Sequence, residues 1–330
     1  MPADAAAPTS HARDDSVMHA PGEAQAIRRQ VLRGLALNRE PGFHFAGNFL
    51  DVSFDDVSPA ASRLSLAPGP HCTDADGQVD LGSVAMLADL ALAATIRANL
   101  ERDQRLATVS ISLEFTGVPR TGRLEAAGEF RGFFRTASGR LAQSRVVVTG
   151  AAGPLAFGSG SFVALRPPAG VTMHPAPNRR RDHPPPPPLL ESDLKRDELE
   201  ILRRADDALE GSGSFVERFW GYAPQRSAGG ASATMKNGPH IGNRVGHAQG
   251  GIQLGLAATT ACAALPASWV LTGISGWYIS PGEGAALRAR SEIVHHGQLT
   301  AVVRTRLTGK ARRRVLDAVT THVCRRAQAR

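Results

Sequence analysis

The chain has 330 residues, 42% hydrophobic and 21% charged. That is enough apolar side chain to bury a sizeable core, so disorder throughout is excluded, and the length suits two domains or one large one. Its net charge of +8 is unevenly placed: residues 310–330 hold seven Lys and Arg against Asp317 alone, a net +6. A protein that coats nucleic acid spreads or stripes its charge, so no nucleic-acid partner is expected.

In chain order, residues 1–22 are rich in Ala, Pro and Ser and lack the apolar core of a signal peptide, which predicts a solvated, disordered tail. Leu50–Leu66 is strand-like. Residues 73–100 read as a loop followed by a long, mostly apolar helix. Val109, Ile111, Leu113 and Phe115 then alternate with polar residues in the period of a strand. A turn at Gly117–Gly122 leads to three more strand-like runs, at 123–134, 141–150 and 154–165. Residues 167–190 hold a Pro- and Arg-rich stretch that reads as an extended linker.

The second block repeats the first. An extra amphipathic helix, without a counterpart in the first block, is predicted to open it over Asp193–Leu209, and a strand-like lead-in over Phe219–Met235. A loop and apolar helix follow at Gly242–Leu265, then strands at 269–282, 286–297, 299–309 and 313–323. Asp74 falls opposite Asn243, Gly77 opposite Gly246, Gly82 opposite Gly251, Pro119 opposite Pro281 and Glu129 opposite Glu292. The expected fold class is α+β, with domains at 23–166 and 191–330. Each is a long central helix wrapped by an antiparallel meander, because neither element alone covers its apolar surface. The pair is expected to act as a fused pseudo-dimer, which leaves room for a homodimer of the whole chain.

No Asp, Glu, Lys or Arg occurs from Ala248 to Gly282, but Pro266 and several Gln, Thr and Gly interrupt the stretch. Its clean helical part is shorter than the roughly 20 apolar residues a membrane span needs, so a buried helix is expected and no span. Cys72, Cys262 and Cys324 are far apart and form neither a disulfide framework nor a metal-ligand spacing. A reducing, cytoplasmic location and no metal are expected. His295–His296 has no carboxylate partner in sequence, residues 74–80 lack the acids a calcium loop needs at its first and last ligands, and neither GSGSF segment is a serine-hydrolase elbow.

On the first apolar helix Asp89 is the only charge between Asp80 and Arg97. Both blocks resemble the hotdog fold, and their loops resemble the PaaI-like branch of the hydroxybenzoyl-CoA thioesterase superfamily. The resemblance covers roughly residues 45–165 and 215–325. That branch carries Asn-x-x-Gly-x-x-His-Gly-Gly with an acid nine residues after the His. Here the second block matches at Asn243, Gly246, Gly250 and Gly251, with Gln249 in the His position and Ala258 where the acid belongs. The first block holds the degraded loop Asp74, Gly77, Asp80, Leu81 and Gly82, yet Asp89 stands nine residues after Asp80.

The resemblance implies one composite site, with the acid from one block and the loop from the other, acting as an acyl-CoA thioesterase. Asp89 would serve as general base or as nucleophile, and Asn243 would orient water or the thioester. Gly250 and Gly251, at a helix N-terminus, would stabilise the oxyanion. Gln249, Gly246 and His247 complete the expected substrate-binding set. No cofactor is implied beyond the coenzyme A of the substrate. Two alternatives stay open on sequence: an acyl-CoA-binding protein without catalysis, because the loop histidine is missing, and a hotdog hydratase or dehydratase. The C-terminal arginines are left between contacts to coenzyme A phosphates and a solvated strand edge.

Overall fold

The computed structural model describes residues 21–101, 104–136, 139–167, 169–174, 184, 186–211 and 213–325. The first half runs α1 (Pro21–Asn38), α2 (Phe45–Phe49), β1 (Ser53–Val57), β2 (Ala61–Leu66), α3 (Leu81–Arg97), β3 (Arg105–Phe115), β4 (Leu124–Thr136), β5 (Gly139–Gly150) and β6 (Gly153–Leu165). The second runs α4 (Arg196–Glu210), α5 (Phe215–Trp220), β7 (Gln225–Ser227), β8 (Gly230–Lys236), α6 (Gly250–Ala264), β9 (Trp269–Tyr278), β10 (Ala286–His296), β11 (Thr300–Thr308) and β12 (Arg314–Cys324).

All twelve strands form one sheet in the order β1-β2-β4-β5-β6-β3-β9-β12-β11-β10-β8-β7. Read inward from either edge, the order is the same for both halves. The halves join where β3 pairs antiparallel with β9, and Ser112 lies directly opposite Ser275 with their hydroxyls bonded at 2.9 Å. β12 lies between β9 and β11, so the strand that begins at Arg314 is interior rather than at the sheet edge. Its side-chain pattern alternates buried and accessible, which is how an interior strand with one covered face carries arginine.

α3 and α6 pack on the sheet of their own halves and against each other. Both are apolar on nearly all sides and both are buried along most of their length, as the sequence requires. Glycines allow the helices to meet. A Cβ on Gly251 would lie 2.4 Å from the Met86 Cα, and one on Gly255 would lie 2.5 Å from the Gly82 Cα. These two contacts are equivalent across the halves.

Two local differences from the sequence reading have physical causes. Pro21 and Gly22, expected in the tail, already belong to α1, where a proline in the first turn gives up an N–H that has no helical acceptor. The helix found at α4 is not an addition to the second half, because α1 is its counterpart in the first. The two pack together, joined by Arg28 to Asp206 at 3.1 Å and Arg39 to Glu198 at 2.8 Å. Residues 1–20 of the expected tail, and 168, 175–183 and 185 of the expected linker, lie outside the described residues. Among the described residues no helix is long and apolar enough to cross a membrane.

Candidate active site

Asp89 sits mid-way along α3 on the side that meets the N-terminus of α6, and only 6% of it is exposed. Its Oδ2 accepts a 2.7 Å hydrogen bond from the Gln249 Nε2 of the other half. The Gly251 N–H and the Thr108 hydroxyl also donate to this carboxylate. Burial nevertheless outweighs these donors and pushes the carboxyl from 3.8 up to about 6. Asp89 is therefore an anion at neutral pH whose proton affinity suits transfer near that pH.

Gln249 is the N-cap of α6, and its amide does two jobs. Oε1 accepts from the Ile252 N–H at 2.9 Å, which satisfies a free donor of the first turn, while Nε2 reaches Asp89. The Gly250 N–H opens the helix and has no acceptor among the described residues. A Cβ there would come within 3.1 Å of the Asp89 Oδ2 and 3.4 Å of the Thr108 Oγ1. Tyr278, at the end of β9, fixes the other side of this peptide by donating to the Gly250 carbonyl at 2.8 Å. Burial and the Asp89 charge raise the Tyr278 phenol well above its ordinary range, so it stays protonated.

The structure thus brings together Asp89, Gln249, Gly250 and Gly251. Asn243 lines the same cavity, but its Oδ1 is engaged locally, accepting from the Val245 N–H at 3.0 Å and the His247 N–H at 3.1 Å. Gly246 supplies the left-handed residue of that turn, at φ +81°. His247 lines no part of the cavity and pairs instead with Glu283 at 3.1 Å. His295 and His296 lie at the exposed end of β10, and among the described residues no group of three His, Cys, Asp or Glu could hold a metal ion.

The cavity beside Asp89 has a volume of about 410 Å³. It follows α3 along Leu90, Ala93, Ala94 and Arg97, and Phe54, Leu106 and Phe162 complete much of its apolar wall. Met173 and His174 also line it, so the stretch that reads as an extended linker returns to the site, where the His174 carbonyl accepts from the Arg244 guanidinium.

The second, pseudo-equivalent position is built differently. Asp80 stands where Gln249 stands, capping α3 by accepting from the Gly82 N–H at 2.9 Å, the Ser83 N–H at 3.2 Å and the Ser83 hydroxyl. The residue opposite is Ala258. None of Asp74, Asp80, Leu81, Gly82 or Ala258 lines the cavity.

Sequence reasoning does not reach Thr108, Tyr278, His44, Arg97 or Arg244. Arg97 had a signal, since it lies eight residues beyond Asp89 and so on the same broad face of the helix. Thr108 and Tyr278 had none, because they meet the site only through the pairing of β3 with β9.

No family model matches the chain, and no curated protein matches it in sequence. Solved structures do match. A conserved protein of unknown function with a hot dog fold from Alicyclobacillus acidocaldarius is 9% identical, with a TM-score of 0.51, covering 84% of this chain and 96% of its own. The 12:0-ACP thioesterase from Umbellularia californica is 10% identical, with a TM-score of 0.50, covering 79% of this chain and 93% of its own. At these identities the likeness speaks to architecture alone, and on that ground the chain has the hotdog fold.

Proposed function

We propose that this chain is a double-hotdog thioesterase of the PaaI-like kind, hydrolysing an acyl-CoA thioester at one composite site between its halves. The observation that carries the reading is the pairing of a buried, high-pKa carboxylate on α3 with the glycine N-terminus of α6 at the mouth of an apolar cavity. The thioester carbonyl sits against the start of α6, where the Gly250 N–H and the helix dipole stabilise its developing negative charge. Asp89 either takes the proton of an attacking water or attacks the carbonyl itself, and the thiolate of coenzyme A leaves. Gln249 and Thr108 orient the carboxylate. Gly251 donates to Asp89, so Gly250 is the better placed of the two glycines to bind the oxyanion.

A second reading, binding of acyl-CoA without turnover, draws on the same contacts: three donors already hold Asp89, and a glutamine stands where the related loops carry histidine. One assay separates the two. The purified protein is given a panel of short, long and aryl acyl-CoA esters and free thiol is followed. Release from any of them supports hydrolysis, whereas measurable binding with no release across the panel establishes the second reading.

A further inference from the structure

The cavity has a cationic end that the chemistry at Asp89 does not use. Arg97 and Arg244 both line it. Among the described residues Arg97 makes no hydrogen bond or ion pair. Arg244 spends one nitrogen on the His174 carbonyl, and its Nη1 is buried with no partner. His44, 7% exposed, lines the same region. Its Nδ1 accepts from the Gly47 N–H at 3.1 Å, which leaves Nε2 to carry the proton as a neutral donor. Burial and the charges of Arg244 and Arg97 keep it neutral, holding its pKa at about 3. Burial and Arg244 likewise hold the Arg97 guanidinium down at about 10, and among the described residues no acid offsets them. Of the two described acids in the lining, Asp89 lies at the other end, and Glu101 is exposed and bonded to neither arginine. Two guanidinium groups lining one cavity end, one of them with an unused buried N–H, form a site short of an anion.

Arg97 lies eight residues along α3 from Asp89, about 12 Å by the helical rise. The helix wall between them is Leu90, Ala93 and Ala94, faced by Leu106 and Phe162. Gln104, a neutral polar side chain nearby, has its Oε1 taken by the Arg140 guanidinium at 3.0 Å. Apart from the Gln104 amide N–H groups, the described lining of that stretch is apolar, so it suits hydrocarbon better than the two amides of a pantetheine arm. At roughly 1.3 Å of reach per carbon–carbon bond, seven to nine bonds cover about 9–12 Å, so eight to ten carbons span it.

Resting on the thioesterase reading for the identity of the scissile bond, we infer that this cavity selects acyl groups carrying their own far-end negative charge, a medium-length dicarboxylic acyl group bound through its free carboxylate by Arg97 and Arg244. A carboxylate takes a bidentate pair of guanidinium N–H bonds, whereas a neutral methyl end would leave both cations dry and unpaired.

The test compares matched esters: suberyl-CoA with octanoyl-CoA, sebacyl-CoA with decanoyl-CoA, and the same four acyl groups as N-acetylcysteamine thioesters, which carry no phosphate. The wild-type chain is expected to favour the carboxyl-ended esters in kcat/KM by on the order of 10²-fold in both carriers. Arg97→Met and Arg244→Met, which keep bulk and remove charge, are expected to collapse that ratio toward one. The absence of a preference in the wild type overturns the inference without any variant having to fold. Equal loss for both acyl classes as CoA esters, with no loss as N-acetylcysteamine thioesters, also overturns it and assigns the arginines to the phosphates of coenzyme A. If no ester is turned over, the Kd values of S-(2-oxoalkyl)-CoA ketones with and without a terminal carboxylate replace kcat/KM. A preference in binding then sustains the anionic pocket while the hydrolytic reading falls, and equal binding overturns the pocket as well.

Discussion

Replacing Asp89 by asparagine tests the centre of the proposed chemistry, and the structure sets what the substitution does to fold and rate. The carboxylate accepts from Gln249, Gly251 and Thr108. Asparagine offers one oxygen, and its NH₂ must face another donor. Thr108 can turn its hydroxyl to accept, but the Gly251 N–H cannot, and Gln249 cannot flip because its Oε1 caps Ile252. One buried donor is left unpaired, at about 1–3 kcal/mol. Against this, a carboxyl raised from 3.8 to about 6 by burial destabilises the fold at neutral pH by on the order of 3 kcal/mol, which asparagine removes. The two effects nearly cancel, so the variant should fold with a Tm close to that of the wild type at pH 7–8. The rate should not survive: kcat/KM is expected to fall by roughly 10²-fold or more, the scale of a positioned acid–base group. Thiol release from pH 5 to 8 checks both points. In the wild type kcat/KM should rise with pH through about 6 as Asp89 loses its proton and then level off. A well-folded Asp89→Asn chain with wild-type turnover, or a wild-type profile with no ionisation in that range, would refute the reasoning.

Three further outcomes are expected. Gly251→Ala should cost about 2 kcal/mol or more in a melt, since its Cβ would meet the Met86 backbone at 2.4 Å, whereas Gly250→Ala should fold normally and lose at least about tenfold in kcat/KM from crowding Asp89. Titration with a non-hydrolysable acyl-CoA analogue should saturate at about one equivalent per chain, and Asp80→Asn should leave turnover within about twofold of wild type because Asp80 lines no part of the cavity. Burial and the charges of Asp80 and Asp74 raise the Glu217 carboxyl from 4.5 to about 7, so its favourable neutral state is fully present below 4.5 and is lost as pH rises through 7. Glu217→Gln should therefore stabilise the chain at pH 8 by on the order of 2 kcal/mol and barely at pH 4.5, read as the change in Tm between the two.

What could be read from the sequence follows how local each signal is. Asp89 stood out because a single charge in an apolar helix must be paid for by partners, and the loop register pointed to Gln249 and the two glycines. The repeat was visible because two helix-and-meander blocks share their turn glycines. The helix α1 is not read from the sequence: its stripe of Ile27, Val31 and Leu35 is narrow and set among Arg28, Arg29 and Arg33, so it merges with the polar segment before it. Thr108 and Tyr278 reach the site only through strand pairing between residues about 160 apart in sequence. Arg97 reads as an ordinary C-terminal helix cation until Arg244 is seen beside it in the cavity, with no acid bonded to it among the described residues.

The two loops also explain why only one position kept an acid. Asn243 and Asp74 close the same turn, each accepting from N–H groups two and four residues ahead. The backbone was conserved between the halves while the caps diverged. Gln249 is longer than aspartate by one methylene and carries a donor besides its acceptor, so it caps its own helix and still bonds an anion across the interface. Asp80 spends its oxygens on α3 and has no proton to offer at neutral pH, when it is ionised. A carboxylate opposite Gln249 is held, whereas one opposite Asp80, at position 258, would place two buried anions face to face without a donor between them. Ala258 is the residue that arrangement tolerates. The neutral cap goes with the acid and the acidic cap goes with alanine, so the electrostatics of one N-cap decide which half of the repeat can hold a base.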